Sequence, residues 1–599
     1  MLSNAELRSR YPSLEAIDVY LAQQLCQSLA SQSEVLQHLF IALSEALRNG
    51  HSCLVLVGRP GGVGQGNDVS EAGSPSLAGQ RYWPLDKQGG YVFPPAAQLM
   101  ALVGEYAIGP EDGAPVVLED GRLYLRRYWH YEQQVAQQLL QRMQPQVLTP
   151  AQTQTAENLL AQLFTPSTSP TSQAEQQIDW QAQAVRDALT RQVCVIAGGP
   201  GTGKTYTVAR LLVTLQAVQD EPLAIAMAAP TGKAKQRLLE SINHAKLQLQ
   251  QQAIEPSLID SIPTTAHTLH GLLGLRPNSQ YVKHHQANPL NIDLLLVDEV
   301  SMVDLPMMAR LLDALPAHCR LVLVGDAQQL PSVAAGSILA DIPASAVSYL
   351  HLSRRFDGQG GISTLAKQVM KNLAPASWQT LQQSDAGANP ELQLIDGDNY
   401  QQWLQQVCAD YFLPMLKADT LQQAFDYLAQ FRILAATRKG EQGVEGINQQ
   451  LESLLSLSHS KVRIGQHYQG KPVMVTKNHH GLDLYNGDIG IIWAMDNGQL
   501  AVCFQHAGGT RMVNVGLLQD LDTVYAMTIH KTQGSEFEHV GLVLAPQAEP
   551  LLSSQLLYTA ITRAKQQCSI CTSQTTWLRA VANKTQRWSG LKHLLSGRS

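Results

Sequence analysis

The chain has 599 residues, enough for three or four domains of about 150 residues each, and its 44% hydrophobic and 15% charged residues exclude a disordered protein. A net charge of −6 excludes a globally basic nucleic-acid binder, so any nucleic-acid surface has to be a local basic stripe. The polar opening Met1-Leu-Ser-Asn-Ala-Glu6 lacks a leader pattern and no apolar run nears the ~18 residues of a membrane span, which points to a soluble, cytoplasmic protein with no membrane partner.

Residues 1–143 combine helical patterns over 16–32 and 35–48 with strand-like pieces and read as an N-terminal α+β domain. A glycine-rich run over 58–66 follows one such piece, but it lacks Lys-Thr and no periodic helix follows, so it reads as a surface loop. The run Leu123-Tyr-Leu-Arg-Arg-Tyr-Trp-His-Tyr131 reads as a strand leading into a helix over 132–143, and its basic and aromatic residues would also suit base stacking. Residues 144–179 read as a linker that holds a short helix over 149–164 and a polar tract over 165–177.

From 180 to 350 strands and helices alternate as in a parallel α/β sheet, with strands over 193–197, 224–228, 294–297 and 321–324 and a short insert near 271–291. A second unit of that kind spans 351–599, with strands over 432–436 and 540–544. Inside it, short strands over 473–476, 488–495, 500–505 and 511–515 suggest a small β-barrel insert at about 456–520. The isolated cysteines 26, 53, 194, 319, 408 and 503 read as reduced core thiols. Cys568 and Cys571 form a C-x-x-C without a second pair, and read as part of a buried strand rather than a zinc site.

The chemistry concentrates where strands end. Gly198-Gly199-Pro200-Gly201-Thr202-Gly203-Lys204-Thr205 fits the phosphate-binding pattern and sits between an apolar strand and a helix, as the pattern requires. Its glycines let backbone N–H groups turn toward phosphates, Lys204 is placed for the β- and γ-phosphates, and the Thr205 hydroxyl for Mg²⁺. ATP with Mg²⁺ is therefore the expected cofactor. The strand over 294–297 ends in Asp298, placed for Mg²⁺, and Glu299, placed to orient the attacking water. The turn Gly325-Asp-Ala-Gln-Gln329-Leu-Pro331 offers a γ-phosphate sensor in Gln329, although Gln328 has the same chemistry. Arg355 and Arg563 lie in the second unit, from which they could complete a nucleotide site held by the first.

These motifs, with Ala229-Pro-Thr-Gly-Lys-Ala234, Thr265-Ala-His-Thr-Leu-His270, Thr528-Ile-His-Lys-Thr-Gln-Gly-Ser-Glu536 and Tyr558-Thr-Ala-Ile-Thr-Arg-Ala564, resemble in order the series of the superfamily 1B DNA helicases. Within that family the resemblance is strongest to the alpha subunits of exodeoxyribonuclease V. It extends, more weakly, to Tyr128-Trp129, to Lys471-Pro-Val-Met-Val-Thr476 and to Asn486-Gly-Asp-Ile-Gly490. The resemblance implies two RecA-like motor domains and a 5′-to-3′ ATP-driven motor on single-stranded DNA, working in double-strand break repair and recombination. It further implies RecB-like and RecC-like partner subunits, with the nuclease in the former and the N-terminal domain docking on the latter. A stand-alone superfamily 1B helicase and an ATP-switched regulatory subunit remain the alternatives. Residue by residue, Gln181 matches the adenine reader, Gln329 the γ-phosphate sensor, and Arg355 and Arg563 the arginines that complete the site. Pro230, Thr231, Lys233, Thr265, His267, His270, Thr528, His530 and Lys531 match segments lining a single-strand channel, where hydroxyls, imidazoles and ammonium groups would hold phosphates. Tyr281 and His284-His285, in the short insert, match the place of a strand-separating pin.

Overall fold

The computed structural model describes residues 2–11, 14–57, 77–83, 90–164, 179–252, 254–276, 279, 281–351, 360–385, 389–495, 497–506 and 509–597. Arg355, the glycine-rich run over 58–66 and the polar tract over 165–177 lie outside them.

Two parallel sheets organise the chain. The first has six strands in the order Val347–Leu350, Val193–Gly198, Arg320–Gly325, Leu294–Val297, Ile225–Ala229 and His267–Thr268, every neighbouring pair parallel. Its central strands are unbroken apolar runs because both faces are covered. Val193, Val195, Leu321 and Leu323 face one core, while Cys194, Ile196, Val322 and Val324 face another. The second sheet has five parallel strands in the order Leu392–Ile395, Ala564–Cys571, Phe537–Val543, Phe431–Ala435 and Ala526–Thr528. It too is sandwiched, with Val540 and Leu542 on one side and Phe431, Ile433 and Val543 on the other. Cys568 and Cys571 are buried in its Ala564–Cys571 strand.

A five-stranded antiparallel sheet interrupts the second unit, in the order Gly509–Asn514, Leu500–His506, Ile489–Ala494, Pro472–Val475 and Leu521–Thr523. It is tied to the unit by a buried ion pair, Lys471 Nζ to Glu452 Oε1 at 2.6 Å, and the Tyr468 hydroxyl donates to the same carboxylate at 3.0 Å. A charge pair so enclosed holds only with its remaining hydrogen-bonding capacity filled, which the tyrosine helps to do.

Near the N-terminus, helices Ala16–Ser28 and Glu34–Arg48 pack beside a small sheet of Leu54–Val55, Arg122–Leu125 and Val116–Glu119. The basic-aromatic run there departs from its reading as a strand. The strand ends at Leu125 and the helix spans Arg126–Arg142, so Tyr128, Trp129 and Tyr131 are helical. Two contacts explain the early start: the Arg126 guanidinium donates to the carbonyls of Ala114, Pro110 and Gly109, and Trp129 Nε1 donates to Glu119 at 2.7 Å. Val135, Ala136 and Leu139 of this helix enter the core of the first large sheet, as do Leu591 and Leu595 of the C-terminal helix Leu591–Leu595. The helix Pro150–Leu163 begins as its sequence foretells, with Thr149 and Gln152 forming a capping box.

Candidate nucleotide cleft and nucleic-acid channel

The Val193–Gly198 strand delivers the chain into the loop before the helix Lys204–Ala217. Gly201 and Gly203 take φ of 75° and 80°, values open to glycine and strained for other residues. Lys204 Nζ donates to the carbonyls of Gly198 at 2.7 Å and Gly199 at 3.0 Å, so the ammonium lies across the mouth of the loop. Thr202 Oγ1 closes the turn on the Gly199 carbonyl at 2.9 Å, and Gln181 Nε2 reaches the Thr202 carbonyl at 2.9 Å. Thr205 occupies the second position of the helix, beside Lys204. Pro200 is buried within the loop.

Across the sheet, Asp298 and Glu299 end the Leu294–Val297 strand. Glu299 adopts a left-handed φ of 53°, and its N–H donates to Asp298 Oδ1 at 2.9 Å, which turns the two carboxylates away from the strand path. Burial and the neighbouring Glu299 raise the pKa of Asp298, while that hydrogen bond, Lys204 and Arg237 oppose the rise. Such a carboxylate is poised for a cation.

Asp326, just past the Arg320–Gly325 strand, is 2% exposed and accepts from Gln328 N, Gln329 Nε2 and the Tyr558 hydroxyl, at 3.0, 3.2 and 3.2 Å. Tyr558 belongs to the helix Ser554–Ile561 of the second unit, so this contact crosses between units. The two glutamines left open by the sequence part here. Gln328 is exposed and lines a cleft of about 740 Å³ with Gly199, Pro200, Thr202, Lys367 and Tyr558. Gln329 is buried behind Asp326, with its Oε1 unpartnered among the described residues. Arg563 is 3% exposed, donates to the carbonyls of Thr559 at 3.0 Å and Ser535 at 3.1 Å, and lies in the field of Glu299 and Asp326.

The channel candidates gather at sheet edges. The edge strand His267–Thr268 pairs with Ala228 and Ala229, which sets His267 beside the Pro230-Thr231 turn, and Thr265 precedes it on exposed chain. Thr231 caps the helix Gly232–Gln250 and Thr268 caps Leu269–Leu273, the helix that carries His270. Thr528 ends the edge strand of the second sheet, and His530 and Lys531 follow in a single turn, with Lys531 Nζ 3.6 Å from Asp522. The Lys233 ammonium faces Arg237, Arg432 and Arg563, and burial pushes its pKa down to about 7. In the short insert His285 and Asn288 pair across a tight turn, and Tyr281 stands 55% exposed beside Arg276.

Two participants, Tyr558 and Arg237, were not singled out from sequence. Tyr558 bridges the units. Arg237 sits one helical turn beyond Lys233 and reaches Glu536 of the second unit at 3.8 Å. The spacing of 233 and 237 on one helix face was a usable signal. The pairing with Glu536, some 300 residues away in sequence, left none.

Comparison with known proteins accords with this arrangement. Residues 12–124 match the model of the RecBCD enzyme subunit RecD N-terminal domain, residues 181–335 an AAA domain, and residues 523–571 a UvrD-like helicase C-terminal domain. The RecD subunit of Mycolicibacterium smegmatis is 36% identical over 97% of this chain and 97% of its own length, and that of Haemophilus influenzae 34% identical over 80% and 81%. The chain belongs to the RecD family. The ATP-dependent RecD2 DNA helicase of Deinococcus radiodurans is 31% identical over 68% of this chain but only half of its own length. The chain thus matches the Mycolicibacterium smegmatis subunit nearly end to end and RecD2 over a part.

Proposed function

We propose that this RecD-family chain is an ATP-driven motor that moves 5′ to 3′ on single-stranded DNA, as the helicase subunit of a RecBCD-type helicase–nuclease acting in break repair and recombination. One observation carries the reading: a phosphate loop and paired carboxylates on one α/β unit meet Tyr558 and Arg563 of another across Asp326. A ligand bridging such a cleft draws the units together and lets them part when it is hydrolysed, which turns chemistry into movement.

In this reading Lys204 and the loop N–H groups hold the phosphates, Glu299 orients water, Gln329 senses the γ-phosphate, Arg563 and Arg355 neutralise developing charge, and Gln181 lies near the base. The Thr205 hydroxyl and the Asp298 carboxylate form an all-oxygen donor pair that suits Mg²⁺, which would supply charge neutralisation at the phosphates. Pro230, Thr231, Lys233, Thr265, His267, His270, Thr528, His530 and Lys531 line the single-strand path, Tyr281 with His284-His285 splits strands, and the antiparallel sheet acts as a small barrel beside that path. The N-terminal domain docks a RecC-like subunit, and a RecB-like subunit supplies the nuclease.

The test is unwinding by the purified chain of end-labelled duplexes carrying a 5′ or a 3′ single-stranded tail. The expected result is ATP-dependent unwinding of the 5′-tailed duplex without shortening of either strand. Unwinding confined to 3′ tails overturns the polarity, and shortened strands overturn the assignment of cleavage to a partner.

A further inference from the structure

The chain returns from its C-terminus to the segment that follows Gln329. The Arg587 guanidinium donates to the carbonyls of Ala334 at 2.7 Å, Gly336 at 3.3 Å and Ser332, the first of which lies only five residues beyond Gln329. Its opposite side lies on Gly50, at the end of the N-terminal helix Glu34–Arg48. Gly50 has a φ of +86°, and a methyl group placed there would meet the guanidinium carbon at 2.6 Å. The Gly50 carbonyl accepts from Gly336 N at 3.0 Å. One arginine is therefore held between the N-terminal region and the loop behind the proposed sensor.

The residues around Arg587 are fixed on every side. Thr585 exchanges two hydrogen bonds with Gln555, at 3.0 and 3.2 Å, on the helix that precedes Arg563. Trp588 stacks on His51 at 4.2 Å and donates its N–H to His51 Nδ1 at 2.9 Å. Gly590 N donates to Glu132 at 3.0 Å, and Ser52 Oγ donates to the same carboxylate at 2.5 Å. The sensor segment is gripped from the second unit as well, where Thr559 Oγ1 accepts from Leu330 N and Gln533 Nε2 donates to Leu330 O, both at 2.9 Å. Gln329 and Arg587 border a common cavity of about 100 Å³, lined also by Asp326, Asp341 and Gln555 and by the apolar Pro331 and Leu339. Gln329 Oε1 and Arg587 Nε are buried without partners among the described residues. Arg587 grips the carbonyls of 332–336 while Leu330 is held from the second unit, so a displacement of Gln329 or of Arg587 carries to the other along the backbone of 330–336.

We propose that Arg587 is a positioning residue for Gln329, and that its clamp on Gly50 and the 332–336 carbonyls couples the ATP or ADP state of the cleft to the N-terminal region. The inference rests on the reading of Gln329 as the γ-phosphate sensor. Coupling is reciprocal, so disturbing the clamp from either side should change how the cleft tells the two nucleotides apart.

The experiment measures affinities of the full chain for fluorescent ADP and for a slowly hydrolysed fluorescent ATP analogue, with Mg²⁺ and a single-stranded oligonucleotide present. Arg587→Ala should lower the preference for the triphosphate at least about fivefold while ADP affinity stays within about twofold. Arg587→Lys keeps the charge without the fork and should fall between. Gly50→Ala, altered outside the cleft, should shift the ratio in the same direction. Gln329→Ala separates the two ideas: if it leaves the preference intact, the sensor reading fails and the inference with it. If Gln329→Ala abolishes the preference while the Arg587 variants keep it, only the inference fails. Equal loss of ADP and triphosphate binding in the Arg587 variants overturns it too, since that marks general damage to the fold.

Discussion

The two α/β units use the same local device to different ends. In each, a buried parallel strand runs into a glycine-bearing turn and then a helix: Val193–Gly198 into Lys204–Ala217, and Phe431–Ala435 into Val444–Ser458. In the first turn the helix opens on Lys204 and Thr205, and the lysine lies over the loop carbonyls. In the second the helix opens on Val444 after Gly443, and the turn's Arg438 points aside to Glu445 at 2.9 Å and Asp522 at 3.5 Å. Glycine allows the turn in both. What differs is the cation at the helix N-terminus, and in the proposed reading it suits only the first turn to phosphate. The second unit contributes instead from its late helix, through Tyr558 and Arg563.

The sharpest way to break this division of labour is to remove the second unit's cation. Arg563→Ala should lower DNA-stimulated ATP turnover by about 10³-fold, within the range of an arginine completing a phosphoryl-transfer site. Nucleotide affinity should change far less, because the loop proposed to bind phosphate is on the other unit. Steady-state turnover beside equilibrium nucleotide binding checks this, and parallel loss of both would move Arg563 from chemistry to structure.

A matched pair of substitutions sharpens the same contrast. Lys204→Gln should cost roughly 10²–10³-fold in turnover by removing a charge aimed at the transferred group. Arg438→Gln, in the turn of the second unit, should cost less than about twofold, since its partly exposed ion pairs contribute little. Comparable losses from the two would mean that the second turn also meets nucleotide.

Much of this contrast was readable from sequence because buried parallel strands leave unbroken apolar runs. The strand 294–297 is found as read, and those read over 193–197, 321–324 and 432–436 differ from the structure by one or two residues at their ends. The shortest edge strands were not readable. His267–Thr268, Ala526–Thr528 and Leu521–Thr523 have two or three residues each, too few for a period and partly polar because one side lacks a neighbour. The candidate cleft was legible where chemistry is local, as in Gly198–Thr205 and Asp298-Glu299. It was illegible where the chain meets itself at a distance: Tyr558 on Asp326, Arg237 near Glu536, and Arg587 behind Gln329. Those contacts depend on how two separately legible units are set against each other.

The last expected effect concerns the seam where the units meet, and it separates a channel lysine from a buried structural one. Lys233 on the first unit faces Arg237 of its own helix, Arg432 of the second sheet, Asp488 just before the strand Ile489–Ala494 and Arg563, and its pKa falls from 10.5 to about 7. The unfolded chain therefore binds more protons than the folded one between those values. The contribution of Lys233 to stability is accordingly worst below about pH 7 and recovers as pH rises toward 10.5. DNA binding has the opposite sign, because phosphates near Lys233 favour the ammonium and binding above pH 7 takes up a proton. Affinity for single-stranded DNA should then weaken as pH rises from about 7 to about 9, by at most about tenfold per pH unit for one linked proton. Lys233→Arg stays charged across that range and should flatten the slope while retaining salt-dependent binding. Anisotropy titrations of a labelled oligonucleotide at fixed ionic strength would show it, and an equal slope in both proteins would place Lys233 away from the phosphates.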